Sequence, residues 1–122
     1  MTRASDETAV REALDAMVGS VRETPFGPDV HVWKVAGKMF ALMSVASPAS
    51  VSLKADPHLS EVLRETYASV NPGYHLNKRH WNTITFAADC PTPEILRLCA
   101  HSYDQVVASL PKKTRTALTG AA

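Results

Sequence analysis

The hydrophobic positions of the chain follow a helical period in three stretches. Over residues 5–20, apolar side chains recur every three or four positions and share one helical face. The second stretch begins at Asp56-Pro57 and the third at Thr92-Pro93, where a capping side chain precedes a proline suited to the first helical turn. We therefore predict a helix over 5–20, a second from Pro57 with an apolar stripe to Tyr67, and a third over 93–110.

Alternation of apolar and polar side chains, together with one tight-turn signal, predicts four strands. Residues 31–35 and 38–45 flank Ala36-Gly37, which is typical of a tight hairpin turn. Residues 50–54 alternate, with two serines and a lysine facing away from the apolar side. Residues 81–86 alternate in the same way and form the fourth predicted strand.

The order of these elements, α-β-β-β-α-β-α, indicates an α+β fold. Strands joined by short turns pair antiparallel, and helices cover one face of such a sheet, so we predict a two-layer sandwich. The other face would carry Ser50, Ser52 and Lys54, and we expect it to be polar. Residues 5–110 form the single predicted domain, and the basic, mostly polar segment 111–122 is expected to be a disordered tail.

Composition narrows the class of protein. A chain of 122 residues with 45% apolar residues can bury one continuous core. Two cysteines are too few for a disulfide-built secreted domain. No signal-peptide pattern is visible, and no run approaches the roughly 18 apolar residues of a membrane span. We expect a cytoplasmic protein without a membrane partner.

Charge is distributed unevenly along the chain, although the formal net charge is only +1. Residues 30–55 and 66–88 contain basic residues and no Asp or Glu. Both windows coincide with predicted strands. The sheet and its loops are therefore expected to be basic, while the helices carry the negative charge.

The basic windows supply the candidate site. Two lysines flank the predicted hairpin turn, one leaves the third strand outward, and the segment "NPGYHLNKRHWNTITF" (71–86) interleaves cations with aromatic rings. This composition suits a phosphate backbone, although lysine at hairpin tips also keeps sheet edges soluble. The candidate residues for nucleic-acid or anion binding are Lys34, Lys38, Lys54, Tyr74, His75, Lys78, Arg79 and His80.

Catalysis, metal binding and cofactors are not expected. His75 and His80 are five positions apart with no cysteine or carboxylate close in sequence, whereas zinc requires a fuller ligand set. Cys99 lies on the apolar stripe of the last predicted helix, where a free cysteine is usually inert. Cys90 precedes a helix, but no partner base is identifiable.

Four segments together resemble the MmcQ/YjbR family of small bacterial proteins. They are "KVAGKMFAL" (34–42), "VSLKADP" (51–57), "GYHLNKRHWNTI" (73–84) and "LCAHSYDQVV" (98–107). The resemblance covers roughly residues 10–110. It implies a CyaY-like α/β fold described as a double wing, and a DNA-binding label that family members carry largely by structural analogy.

Carried over by position, the family pattern points to Lys38, Lys54, Lys78 and Trp81. Many members also have a Trp-Gly-x-Pro-like element before the first strand. Pro25-Phe26-Gly27-Pro28 matches that region here and lacks the tryptophan.

Two functions follow as hypotheses. The first is weak, salt-sensitive binding of DNA through the basic surface, with little sequence selectivity. The second is binding of a protein partner or an anionic metabolite without catalysis. A contiguous cationic patch favours the first, and a contiguous apolar patch on the sheet favours the second.

Overall fold

The computed structural model describes residues 3–46, 48–73 and 76–119. Within these ranges, six strands form one antiparallel sheet in the order β1-β2-β3-β4-β6-β5. The elements in chain order are α1 (Arg3–Asp15), β1 (Ser20–Glu23), β2 (Val30–Val35), β3 (Lys38–Ser44), β4 (Ser50–Lys54), α2 (Pro57–Thr66), β5 (Val70–Pro72), β6 (Trp81–Thr85), α3 (Thr92–Ala108) and α4 (Lys112–Thr119). The predicted α+β sandwich is confirmed.

Four elements differ from the prediction. Helix α1 ends at Asp15 rather than at residue 20, because Gly19 has a positive φ and Ser20 begins β1. The sheet gains two edge strands, β1 and β5, which have only four and three residues. Edge strands of this length are polar and tolerate proline, so their sequences lack a clear alternation. The segment predicted as a disordered tail instead forms α4, because its Leu118 packs against the core. Residues 120–122 of that segment lie outside the described residues.

The core lies between α1, α3 and one face of the sheet. The side chains that fill it are fully buried and come from both layers: Val10, Leu14, Trp33, Phe40, Met43, Ile84, Ile95 and Cys99. We call the sheet face turned away from α1 and α3 the open face. Among the described residues, no helix combines the length and the apolar character that crossing a membrane requires.

A buried serine ties α3 to the sheet. Ser102 is fully buried, and its Oγ donates to the Phe40 carbonyl at 2.6 Å. The same oxygen accepts the backbone N–H of Lys54 at 2.8 Å. One side chain therefore joins the ends of β3 and β4 to the helix that covers them.

Asp56 caps the N-terminus of α2. Its carboxylate accepts the N–H of Leu59 at 2.9 Å, and this hydrogen bond, followed by the nearby His101, lowers the pKa of Asp56 below its ordinary value of 3.8. A carboxyl with a lowered pKa in the folded chain stabilises the fold above its ordinary pKa. That contribution is lost as the pH falls through the lowered value.

We expect Asp56→Asn to flatten the acid limb of the stability curve, because asparagine keeps the capping hydrogen bond but does not titrate. Thermal unfolding midpoints, measured between about pH 5 and pH 2, should fall less in the variant than in the wild type. Glu61→Gln, at an exposed position on the same helix, is the control. Parallel curves for wild type and Asp56→Asn would show that protonation of Asp56 does not contribute to the loss of stability in acid.

Candidate functional site

Antiparallel pairing brings three basic segments to one end of the sheet. This end contains the β2–β3 turn, where Val35 pairs with Lys38. It also contains the last residue of β4 and the first residue of β6, since Lys54 pairs with Trp81. Strands β2, β3, β4 and β6 are consecutive, so about 15 Å of sheet separates the outermost two. We call this region the basic end; its predicted members are Lys34, Lys38, Lys54, Lys78, Arg79 and His80.

The hairpin turn distributes its two lysines to opposite sides of the sheet. Ala36 and Gly37 both have positive φ, at 50° and 80°, as in the tight turns that join neighbouring strands. Lys34 is on the open face, and its Nζ lies 3.3 Å from Glu23 Oε2. Lys38 instead reaches Ser109 Oγ, at 3.4 Å, beside the C-terminus of α3. The two lysines therefore do not project together from the tip of the hairpin.

Lys54 and the β5–β6 loop supply the remaining predicted cations. Lys54 is half-buried and follows Ser52 on the open face. Lys78 and Arg79 are exposed, and within the described ranges neither they nor Lys54 pair with a carboxylate. His80 is half-buried, and its carbonyl accepts the N–H of Ala55 at 2.7 Å. The predicted site residues Tyr74 and His75 lie outside the described residues.

Arg64 of α2 holds the loop that carries Lys78 and Arg79. Its Nε donates to Asn82 Oδ1 at 2.8 Å, and its Nη2 donates to the carbonyls of Trp81, at 3.2 Å, and Lys78. Asn82 is buried and donates in turn to Ser60 Oγ at 2.9 Å. Sequence reasoning missed Arg64, because only the tertiary fold brings α2 beside this loop.

We expect Arg64→Ala to destabilise the chain by about 1–3 kcal/mol, because three acceptors lose a charged donor. Hydrogen exchange should accelerate at the amides of residues 77–82, and urea unfolding should measure the loss. Glu65→Ala, at an exposed position on the same helix, should leave both quantities nearly unchanged. Unchanged exchange in Arg64→Ala would show that the loop is held by other contacts.

Helix α4 adds cations that the sequence analysis assigned to a tail. It begins beside Ser109, the partner of Lys38, and its Leu118 Cδ2 would lie 2.5 Å from a Cβ placed on Gly19, next to the first residue of β1. The helix therefore runs along the basic end. Besides Arg64, eight of the thirteen Lys and Arg residues of the chain belong to segments at this end: Lys34, Lys38, Lys54, Lys78, Arg79, Lys112, Lys113 and Arg115.

Acidic side chains gather at the opposite end of the sheet. Asp6 is buried and accepts the N–H of Ala87 at 2.6 Å, just past the end of β6. Asp89 accepts the N–H groups of Ala68 and Ser69, just before β5, at 2.6 and 2.9 Å. Asp56, two residues after Lys54, is an acid at the basic end, so that end carries an excess of positive charge rather than cations alone.

A groove of about 580 Å³ lies on the open face. Apolar side chains from a preceding loop, two strands and the β5–β6 loop line it together with a row of hydroxyls: Phe26, Val30, Met39, Leu42, Leu76, Ser44, Ser50, Ser52 and Thr83. We call it the open-face groove. The expectation of a polar open face is therefore wrong for β2 and β3, whose apolar residues occupy both faces.

Trp81 packs against the start of the β5–β6 loop, on the open face of the sheet. It is 9% exposed and shares the open face with Thr83, whereas the neighbouring Ile84 belongs to the main core. Gly73 packs directly on it, since a Cβ there would lie 2.8 Å from Trp81 Cβ. The tryptophan is therefore buried outside the main core, between the sheet and a loop.

The two cysteine thiols are protonated at neutral pH. Burial raises the pKa of Cys99 to about 12. Burial, with the neighbouring Glu94, raises the pKa of Cys90 to about 11. Within the described ranges, no group of three or more His, Cys, Asp or Glu side chains is arranged to hold a metal ion.

The fold and the basic end define a small α+β domain with a charged pole and a groove on its uncovered sheet face. The chain matches the YjbR family model over residues 15–105. It is 35% identical over 108 residues to the uncharacterized protein YbdF of Escherichia coli O157:H7, covering 88% of each chain. It is 40% identical over 86 residues to the uncharacterized protein YjbR of Escherichia coli strain K12, covering 70% of this chain and 73% of the relative.

A solved structure agrees with these sequence matches. The crystal structure of Deinococcus radiodurans protein DR2400 superposes with a TM-score of 0.84 at 34% sequence identity, covering 93% of this chain and 86% of that one. The protein therefore belongs to the YjbR family, as its motifs predicted.

Proposed function

We propose that this YjbR-family protein is a cytoplasmic, non-catalytic module that binds DNA through the phosphates facing its basic end. The observation that carries the proposal is the convergence of eight cations at one end of the sheet, in a chain whose net charge is only +1. Lys54, Lys78 and Arg79 are the best phosphate ligands, because no described carboxylate pairs with them. The protonated state of both thiols supports the absence of a nucleophilic cysteine.

Binding through a few phosphates is weak and depends on salt. Each neutralised phosphate releases condensed counterions, so the affinity falls steeply as salt rises. Lys34 and Lys38 contribute less than the other three predicted cations, because Glu23 and Ser109 already engage them. Such contacts position a nucleic acid without reading its sequence.

Fluorescence anisotropy with a short labelled duplex tests the proposal. If about five cations each neutralise one phosphate, the affinity falls by roughly 500-fold between about 50 and 200 mM salt. An affinity that does not change with salt, or no binding by the folded protein at the lower salt concentration, would contradict it.

A second candidate function rests on the open-face groove. Its volume of about 580 Å³ lies within the range of small-ligand sites, and its apolar walls also suit a protein partner. In this alternative the groove holds an anionic metabolite or a peptide. A ligand with few charges releases few condensed counterions, so its affinity falls less steeply with salt than that of DNA.

A further inference from the structure

The open-face groove and the basic end adjoin at three points. Met39 lines the groove and is the register partner of Lys34. Ser52 lines it, and Lys54 follows two residues later on the same face. Leu76 lines it from the loop that carries Lys78 and Arg79 two and three residues further on. A polyanion held by these cations would therefore pass along the mouth of the groove.

We propose that the open-face groove receives unstacked bases, so that the protein binds single-stranded nucleic acid in preference to duplex. This inference rests on the proposed function. A base has two apolar faces and a polar edge, and only a single strand presents both to a protein surface. Phosphates at the basic end and bases in the groove would belong to one continuous strand.

The lining of the groove matches that chemistry. Phe26 is 72% exposed at its rim, where an aromatic ring can stack on a base. Met39 and Leu42 supply apolar contacts from β3. Ser52 and Thr83 share a hydrogen bond at 2.8 Å, and each hydroxyl can donate or accept. Hydroxyls of this kind accommodate several base edges, so the expected sequence preference is small.

The geometry fits a peptide less well. Peptides that bind to sheets usually add a strand to an exposed edge, where unpaired backbone groups supply the hydrogen bonds. The groove instead lies over β2, β3, β4 and β6, each of which has a neighbouring strand on both sides. Nearby cations, rather than free backbone groups, are what the groove offers to a ligand.

Two labelled oligonucleotides with equal numbers of phosphates separate the contribution of the bases to affinity from that of the phosphates. One is an oligothymidylate of about 12 nucleotides, and the other is its abasic counterpart. We expect the full chain to bind the oligothymidylate about tenfold or more tightly than the abasic strand at low salt. Phe26→Ala should lower that ratio several-fold and leave the affinity for the abasic strand unchanged. Val62→Ala, an exposed apolar residue on α2, is the matched control.

The outcomes distinguish failure of this inference from failure of the proposed function. Equal affinity for the two strands would overturn base insertion and leave phosphate binding intact. If neither strand nor a duplex binds, both proposals fail. If sedimentation shows that Phe26→Ala dissociates a dimer while the base-to-abasic ratio stays constant, the groove is an interface between two copies, and base insertion is again overturned.

Discussion

Replacing Lys54, Lys78 and Arg79 together with alanine is expected to lower the affinity for a short DNA by at least roughly 100-fold at about 50 mM salt. The physical reason is the loss of three phosphate contacts and of the counterion release that accompanies them. The slope of log affinity against log salt should become shallower by about 2.7 for a duplex. Anisotropy titrations at several salt concentrations measure both quantities on the same samples.

A control with the same change in net charge separates the basic end from bulk charge. Arg11→Ala/Arg22→Ala/Arg97→Ala removes three cations from α1, β1 and α3. None of the three belongs to the segments that form the basic end, and Arg22 and Arg97 already pair with Asp15 and Glu94. The control should keep most of the affinity. An equal loss in both triple variants would mean that net charge, rather than its arrangement, determines binding.

Ser102→Ala is expected to lower the free energy of unfolding by about 2–4 kcal/mol. The substitution removes a hydroxyl that bridges the Phe40 carbonyl and the Lys54 N–H in a fully buried position. Both backbone groups then lose a partner where water cannot replace it. Urea unfolding followed by intrinsic fluorescence measures the change.

A second serine on the same side of the molecule provides the comparison. Ser109 is exposed at the C-terminus of α3, so Ser109→Ala should cost much less than Ser102→Ala. A loss below about 1 kcal/mol in Ser102→Ala would show that the bridge is replaced by other contacts. Ser102 also fixes the backbone of Lys54. Ser102→Ala should therefore weaken DNA binding even under conditions where the variant is still folded.

Long periodic segments carried most of the information about the fold. The period of α3 and the alternation of β4 and β6 are clear, because each element has one face against the core. Strands β1 and β5 were missed, since three or four residues at a sheet edge are too few to show a period. Helix α4 was missed for a similar reason: a single apolar side chain, Leu118, anchors a segment that is otherwise polar.

The candidate site was predictable in composition but not in arrangement. The absence of acids from residues 30–55 and 66–88 identified the cations, and the strand order then showed that they meet at one end. The opposite directions of Lys34 and Lys38 follow from the pairing of Val35 with Lys38 across the two-residue turn, because neighbouring positions on a strand face opposite sides of the sheet. The open-face groove is lined by side chains from β2, β3, β4 and β6, so it could be identified only when the order of those strands in the sheet was known.

Titration of ¹⁵N-labelled protein with a short DNA at low salt tests the central claim most directly. Amide shift changes should cluster at the basic end, at residues 34–38, 54 and 77–80, and extend into α4. The acidic end, near Asp6 and Asp89, should remain unaffected. Changes centred on the acidic end or on α1, or no changes with the protein folded, would contradict binding through the basic end.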